Sequence, residues 1–384
     1  MKKQTSSHKK GYGHKKEEVV NALRTRILSN EYEPGSRLPT VDELVEEFAF
    51  SRTTMQQAIR QLTREGFIQT IDRKGVYVTD RPPHLHRIGV VFGCGQDSHS
   101  WTKFYTAFRD ELSKIIEPDR HYEFICYYEV NPDLPDSDYK TLRKDIASHS
   151  LAGLIIHRTA WDAREELCTL TAAADIPTAL VNYNLKEAPG ATVIRTDGHK
   201  FVDKSMDWFK ERGRSRVAVV TMYTVPQINV QAVLNRGLSV RPHWLQAVGY
   251  DGINNLDRLI HLLLDYPTEE RPDALLIAND HLTDIVLKSI GECGLIIGRD
   301  IDVIAHCNWP QTTQSPLPIR RLGFSAMDFI HQCLIAIEKP HKGSHEILIP
   351  ALFESEVPGM TPTPSPSMKR QYLHAVGESE AFLV

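Results

Sequence analysis

At 384 residues, with 41% hydrophobic and 24% charged residues, the chain is too long for one compact core and sized for two or three globular units. No apolar run approaches the roughly 20 residues that span a bilayer, and the opening MKKQTSSHKKGYGHKK is basic without the apolar middle of a secretory signal. A cytoplasmic protein without membrane association is therefore expected. The net charge of −4 hides an asymmetry: residues 1–80 carry 14 Lys/Arg against 11 Asp/Glu, so the remainder is acidic. A basic end on an acidic body points to an anionic partner. The competing explanation is a solvated tail, because six of those lysines fall within residues 1–16.

In chain order, EEVVNALRTRIL opens with Val19, Val20, Leu23, Ile27 and Leu28 at spacings of three and four, one apolar helical stripe that stops before Pro34-Gly35. Thr40 begins a capping box with Glu43 and predicts a helix over 41–48 burying Leu44, Val45 and Phe48. Ser51 is a further N-cap and predicts a helix over 52–65 with Met55, Ile59 and Leu62 inward and Gly66 as its stop. FIQTIDRKGVYV then reads as a two-stranded hairpin with a basic tip. Three helices and a hairpin form a winged helix-turn-helix, whose third helix enters the major groove amino end first. The candidate DNA-binding residues are Arg37, Thr40, Ser51, Arg52, Thr53, Thr54, Gln56, Gln57, Lys74 and Gly75. The first helical turn favours phosphate through its free N–H groups and dipole, and Arg52 can pair bidentately with guanine or clamp a phosphate. The alternative for Arg52 is a local cap or ion pair.

These residues carry a resemblance. Leu23-Arg24, Ile27-Leu28, PGSRLPT, ELVEEF, SRTTMQQAIRQLTREGFI and KGVYV resemble the GntR family of bacterial repressors across residues 17–79. The resemblance implies operator contacts at Arg52, Thr53 and the Lys74-Gly75 wing. Two positions depart from it: Asp42 and Gln56 stand where basic residues are common, which lowers phosphate affinity and alters the sequence read.

A polar, proline-bearing linker, TDRPPHLHR, follows. Its His84 and His86 form an HxH without further metal-ligand spacing, so no metal is expected. The six cysteines at 94, 126, 168, 293, 307 and 333 form no CxxC pair, which suits free thiols in a reducing compartment.

Beyond the linker, strands and helices alternate. RIGVVF, YEFICYY, LAGLIIH and IPTALVNYN read as strands, with helices at FYTAFRDELSKII, at YKTLRKDIAS and near 162–173. ATVIRTDG, RVAVVTM, DALLIAND and IDVIAHC repeat the pattern with helices KFVDKSMDWFKERG and HLTDIVLKSIGECG, and HEILIPALFES reads as a late return strand. The fold class is α/β with parallel sheets. The order of these segments, with the run through Asp197, Lys210, Gly213 and Arg216, resembles the periplasmic-binding-protein-like effector domain of LacI/GalR-type repressors over about residues 87–357. A GntR-like head on such a body resembles the bacterial arabinose repressors.

The expected domains are 15–80 (winged helix-turn-helix), 81–87 (linker), 88–357 (two-lobed effector-binding and dimerisation domain) and 358–384, a Pro/Ser/Thr-rich tail that is either disordered or docked. Open α/β sheets bind ligands at the carboxyl ends of their strands. Candidate effector contacts are Ser98, His99, Trp101, Asp197, Asp280 and Asn308. Trp101 either stacks on a sugar face or belongs to the core of its helix, and Asp280 is a ligand or an N-cap. The segment after RVAVVTM lacks the Arg-x-x-Gly that the resemblance implies, and Phe201 replaces a small residue, so either the effector is not a typical sugar or the pocket is degenerate. Gly93-Cys94-Gly95 lacks the third glycine of a dinucleotide loop. GxSxG, P-loop and metal motifs are missing from the sequence. The expectation is a homodimeric transcription regulator, acting as a repressor on a double-stranded DNA operator under control of a carbohydrate-like effector held between two lobes, with no cofactor and no catalysis. The alternative is a cytoplasmic small-molecule-binding protein without a regulatory role.

Overall fold

The apolar stripe of Val19, Val20, Leu23 and Ile27 buries as foreseen, on one side of a helix α1 (Ser6–Leu28) that begins earlier than the stripe itself. The computed structural model describes residues 6–115, 122–134, 137–158, 161–187, 191–222, 230–312 and 315–360. Most of the expected tail, 361–384, lies outside the described residues. Helix α2 (Val41–Phe48) and helix α3 (Arg52–Glu65) pack on α1 around Leu44, Met55, Ala58, Ile59 and Leu62. Val45 and Phe48 are only partly buried against this core. Strands β1 (Ile68–Ile71) and β2 (Gly75–Val78) pair antiparallel, closing the core with Phe67, Ile68 and Val78.

One ion pair fixes α3 against α1. Arg24 donates from Nη2 to Glu65 Oε2 at 2.6 Å and from Nη1 to Asn21 Oδ1 at 2.9 Å, and its guanidinium lies 5.6 Å from the Phe67 ring centre. Both charged side chains are nearly sequestered, 5% and 10% exposed.

The remaining elements run β3 (Arg87–Val91), α4 (Lys103–Leu112), β4 (Glu123–Tyr127), α5 (Tyr139–Ala147), β5 (Gly153–His157), α6 (Trp161–Ala173), β6 (Thr178–Val181), β7 (Thr192–Thr196) and α7 (Gly198–Glu211). They continue with β8 (Val217–Met222), α8 (Val230–Asn235), β9 (Leu245–Val248), α9 (Leu256–Leu264), β10 (Ala274–Ile277), α10 (Thr283–Glu292), β11 (Asp302–Trp309), β12 (Arg320–Ser325), α11 (Ala326–Glu338), β13 (His345–Ile349) and β14 (Leu352–Phe353). The described chain divides into two compact units. One holds the residues up to Ser98, Ile115–Thr192 and Cys333–His345; the other holds His99–Lys114, Val193–Gln332 and the residues from Glu346 on. The winged helix thus shares a unit with β3, β4, β5 and β6.

The two large sheets follow the orders β13-β7-β6-β5-β3-β4 and β14-β12-β11-β10-β8-β9. In each, the leading strand lies between its two successors and pairs with both in parallel, as in doubly wound folds. Strands β5, β8 and β10 are buried along their whole length, which explains why they are apolar apart from His157 and Thr221. HEILIPALFES is two strands rather than one: β13 joins the first sheet, and β14 pairs antiparallel with β12 in the second. The break falls at Pro350, which cannot donate to a ladder.

The linker is held in place. Pro82 and Pro83 are buried, a short helical turn spans Pro83–Leu85, and the His84 ring stacks on Phe67 with centroids 5.9 Å apart. Burial pushes His84 down to about 4, helped by His149 and His86. In the first sheet, His157 stacks on Phe92 at 4.7 Å, and burial pushes it down to about 3.

Two outcomes follow. Glu65→Ala leaves the Arg24 charge buried without its carboxylate, and urea unfolding should show a loss of about 3 kcal/mol. The unfolded chain protonates His84 and His157 near pH 6.5, whereas the folded protein resists until about 4 and about 3. The stability supplied by the neutral rings is complete above pH 6.5 and is lost as pH falls from there through those lower values. Melting temperatures should drop across that window, with a shallower decline in His157→Phe.

Candidate nucleic-acid interface and ligand site

Helix α2 is opened by a reciprocal capping box: Thr40 Oγ1 accepts from Glu43 N at 3.3 Å, and Glu43 Oε2 accepts from Thr40 N at 2.6 Å. The Thr40 N–H and then the Thr40 hydroxyl, both donating to Glu43 Oε2, hold the Glu43 carboxyl below its usual range. Arg26 pairs with Glu47 and bonds the Tyr32 hydroxyl at 2.9 Å, tying α2 to α1. The chain leaves α2 through Ala49 at φ 55°, a left-handed cap, and re-enters helix at Ser51 after one further residue. This tight turn fixes the angle at which α3 starts.

At that start, Arg52, Thr53 and Gln56 are exposed, and Gln57 is half-buried. Ser51 Oγ accepts from Thr54 N at 3.2 Å and lies 2.8 Å from Thr54 Oγ1. Thr54 is 1% exposed, so the structure corrects its assignment as a base or phosphate contact: its side chain completes the cap from inside. Thr40 is exposed, but its hydroxyl donates to Glu43 Oε2 at 2.9 Å. Arg52 Nη1 donates to Asp42 Oδ1 on the first turn of α2, a partner that the sequence pattern does not indicate.

The wing is broader than a hairpin. Leu38 N donates to Val76 O at 2.9 Å and Val78 N to Ser36 O at 2.9 Å, and Arg37 bridges Tyr77 antiparallel. The segment before α2 thus lies along β2 as a short third edge. Gly75 has φ 116°, and a Cβ there would stand 3.1 Å from Arg37 Nε. Arg37, Lys74 and Gly75, distant in sequence, therefore form one basic corner. Arg37 and Lys74 are exposed.

In the second unit the expected ligand residues separate into two groups. Asn308 Nδ2 donates to Asp280 Oδ2 at 2.8 Å; both side chains are buried at the carboxyl ends of β11 and β10. The backbone oxygen of Asp280 accepts from Lys103 Nζ at 3.1 Å. The alternative reading of Asp280 as a cap is not what the structure uses: Asn279 Oδ1 accepts from His281 N at 3.0 Å, and α10 starts only at Thr283. His306, missed in the sequence, packs edge-on to Phe201 at 5.7 Å and is held low by burial, against an opposing pull from Asp280.

Asp197 is instead the N-cap of α7, 7% exposed, and accepts from Lys200 N at 3.0 Å. Trp101 donates from Nε1 to Thr106 Oγ1 at 2.8 Å and packs edge-on to Tyr105 at 5.4 Å, against its own helix. Ser98 is half-buried and His99 is exposed; they flank the boundary between the units. The Asp197-to-Arg216 run proves architectural. Gly213 takes φ 75° after α7, and Arg216 Nε donates to Arg271 O at 2.6 Å.

Residues 15–78 match the sequence model of the bacterial regulatory proteins of the gntR family. The N-terminal domain is a GntR-type winged helix-turn-helix. Through it the chain is 37% identical over 70 residues to the mannosyl-D-glycerate transport/metabolism system repressor of Escherichia coli (strain K12), covering 18% of this chain and 29% of that one. The chain spans under a third of the length of the curated relatives it matches this way. Over 344 residues it is 20% identical to the arabinose metabolism transcriptional repressor of Geobacillus stearothermophilus, 80% of this chain and 88% of that one. The structure resembles that of a LacI-family regulatory protein from Chloroflexus aggregans with a TM-score of 0.51 and 16% identity, over 70% of this chain and 96% of that one. Beyond the GntR-type head, the body therefore has a LacI-like, periplasmic-binding-protein-like fold.

Asn308→Ala removes the donor from a buried carboxylate. Urea unfolding should show a loss of about 2 kcal/mol.

Proposed function

We propose that this protein is a sequence-specific transcription regulator, acting as a repressor on a double-stranded DNA operator. One observation carries the reading: a capped α3 presents Arg52, Thr53 and Gln56 outward on its first turn. That turn combines N–H groups and a dipole suited to phosphate with side chains that reach base edges. The proposed contact set is Arg37, Thr40, Ser51, Arg52, Thr53, Gln56, Gln57, Lys74 and Gly75, with Thr54 left out for its burial.

The body serves as the effector-binding and dimerisation domain, over 88–357, joined by 81–87 to a head at 15–80. A homodimer sets the spacing of two half-sites. The effector is a hydroxyl-rich molecule of the carbohydrate class, met by Asp280 and Asn308 at the ends of β10 and β11; the name of the long-spanning relative, an arabinose metabolism repressor, supports this class. Effector control requires different affinities for the DNA-competent and DNA-incompetent states. The protein is cytoplasmic and not an enzyme. No helix among the described residues is long and apolar enough to cross a membrane.

Fluorescence anisotropy with the gene's own upstream duplex and a random duplex of equal length tests the reading. At physiological salt the upstream duplex should bind at least about a thousandfold more tightly, and Arg52→Ala should reduce that preference roughly tenfold or more. Equal binding of both duplexes by the wild-type protein would overturn it.

A further inference from the structure

The Arg52–Asp42 pair sits where a DNA-binding protein least affords a carboxylate. Arg52 is the first residue of α3, and Asp42 lies on the first turn of α2. Both are solvent-exposed, 61% and 71%, so the pair contributes little to the stability of the fold. Both ends are nonetheless anchored. Asp42 lies inside the Thr40–Glu43 capping box, and Arg52 follows the Ser51 cap. Helix α2 carries four carboxylates in VDELVEEF and no basic residue. Glu43 is committed to the cap and Glu47 to Arg26; Asp42 is committed to Arg52.

A carboxylate beside Arg52 cancels much of the charge that would draw the guanidinium to a phosphate, and it repels the phosphate itself. It does not cancel hydrogen-bond geometry. With Nη1 engaged by Asp42, the Nε–Nη2 edge of Arg52 has no partner among the described residues. That edge has the fork spacing that meets guanine O6 and N7. A side chain with several rotatable bonds, held at one end, also loses less freedom on binding.

We propose that Asp42 is a positioning residue for base readout: it orients Arg52 toward a guanine in the major groove and withholds it from the phosphate backbone. This rests on the DNA-binding function proposed above. Asp42 thereby lowers total DNA affinity and raises selectivity, so the two quantities move in opposite directions when it is removed. A residue with a purely structural role would move both together or neither.

The test is selection of binding sites from a randomised duplex library by the full-length protein and its variants, with anisotropy on the selected and random duplexes. Wild-type protein should enrich one guanine per half-site that Arg52→Ala no longer enriches. Asp42→Asn should weaken preference at that position roughly tenfold and leave the other positions unchanged. It should bind random duplex more tightly at low salt, with the salt slope steeper by about 0.9, one phosphate contact. Asp42→Glu, which keeps the charge, should retain the guanine. Thermal melts should be unchanged, since both side chains are exposed. If Asp42→Asn keeps its full preference for an Arg52-dependent guanine, or loses preference equally at every position, the positioning role is overturned and DNA binding stands. If the wild-type protein enriches no sequence, the DNA-binding reading and this inference fall together.

Discussion

The outward aim of α3's first turn depends on how the other end of the helix is held. Arg24 reaches from α1 to Glu65 on the last turn of α3, with both side chains largely removed from water. Removing one partner of such a pair is costly, so the contact admits little rotation of α3 about its axis. With Met55, Ile59 and Leu62 committed to the core and Glu65 committed to Arg24, the face carrying Arg52, Thr53 and Gln56 is the one left to solvent. The two N-caps and the left-handed residue at Ala49 then set the approach of α2, and with it the placement of Asp42.

Much of this was legible in the sequence because it is local. Capping boxes, αL stops and apolar periodicity act within a few residues, so the bounds of α2 and α3 and the inward face of α3 could be read directly, whereas on α2 only Leu44 is fully buried and Val45 and Phe48 are partly so. What could not be read is pairing across distance. The short edge that Arg37 adds to the wing, the hold of Asp42 on Arg52 and the hydrogen bond from Lys103 to the Asp280 backbone each join residues whose spacing carries no periodic signal. The burial of Thr54 escapes the sequence for a related reason. Its position on the first helical turn is shared with true surface residues, and only the packing of α3 shows that it turns inward.

The same division appears in the α/β body. Fully buried strands such as β5, β8 and β10 announce themselves as apolar runs. Helices α8, α9 and α11 and strands β9 and β12 carry no such signal, and HEILIPALFES is divided by its proline. The expected ligand residues divided according to geometry: Asp280 and Asn308 meet, whereas Asp197 and Trp101 are occupied by local structure. Phe201, noted for its bulk, packs against His306 and Phe324, and Phe324 is the β12 neighbour of Asn308.

On this reading, the amino end of α3 and the basic corner of the wing are the surfaces that meet DNA. Hydrogen–deuterium exchange of the full-length protein, with and without saturating duplex, reads these surfaces directly. Exchange in peptides covering 51–57 and 72–76 should slow on adding the duplex. Unchanged exchange in both segments, with slowing confined to the α/β body, would contradict this reading.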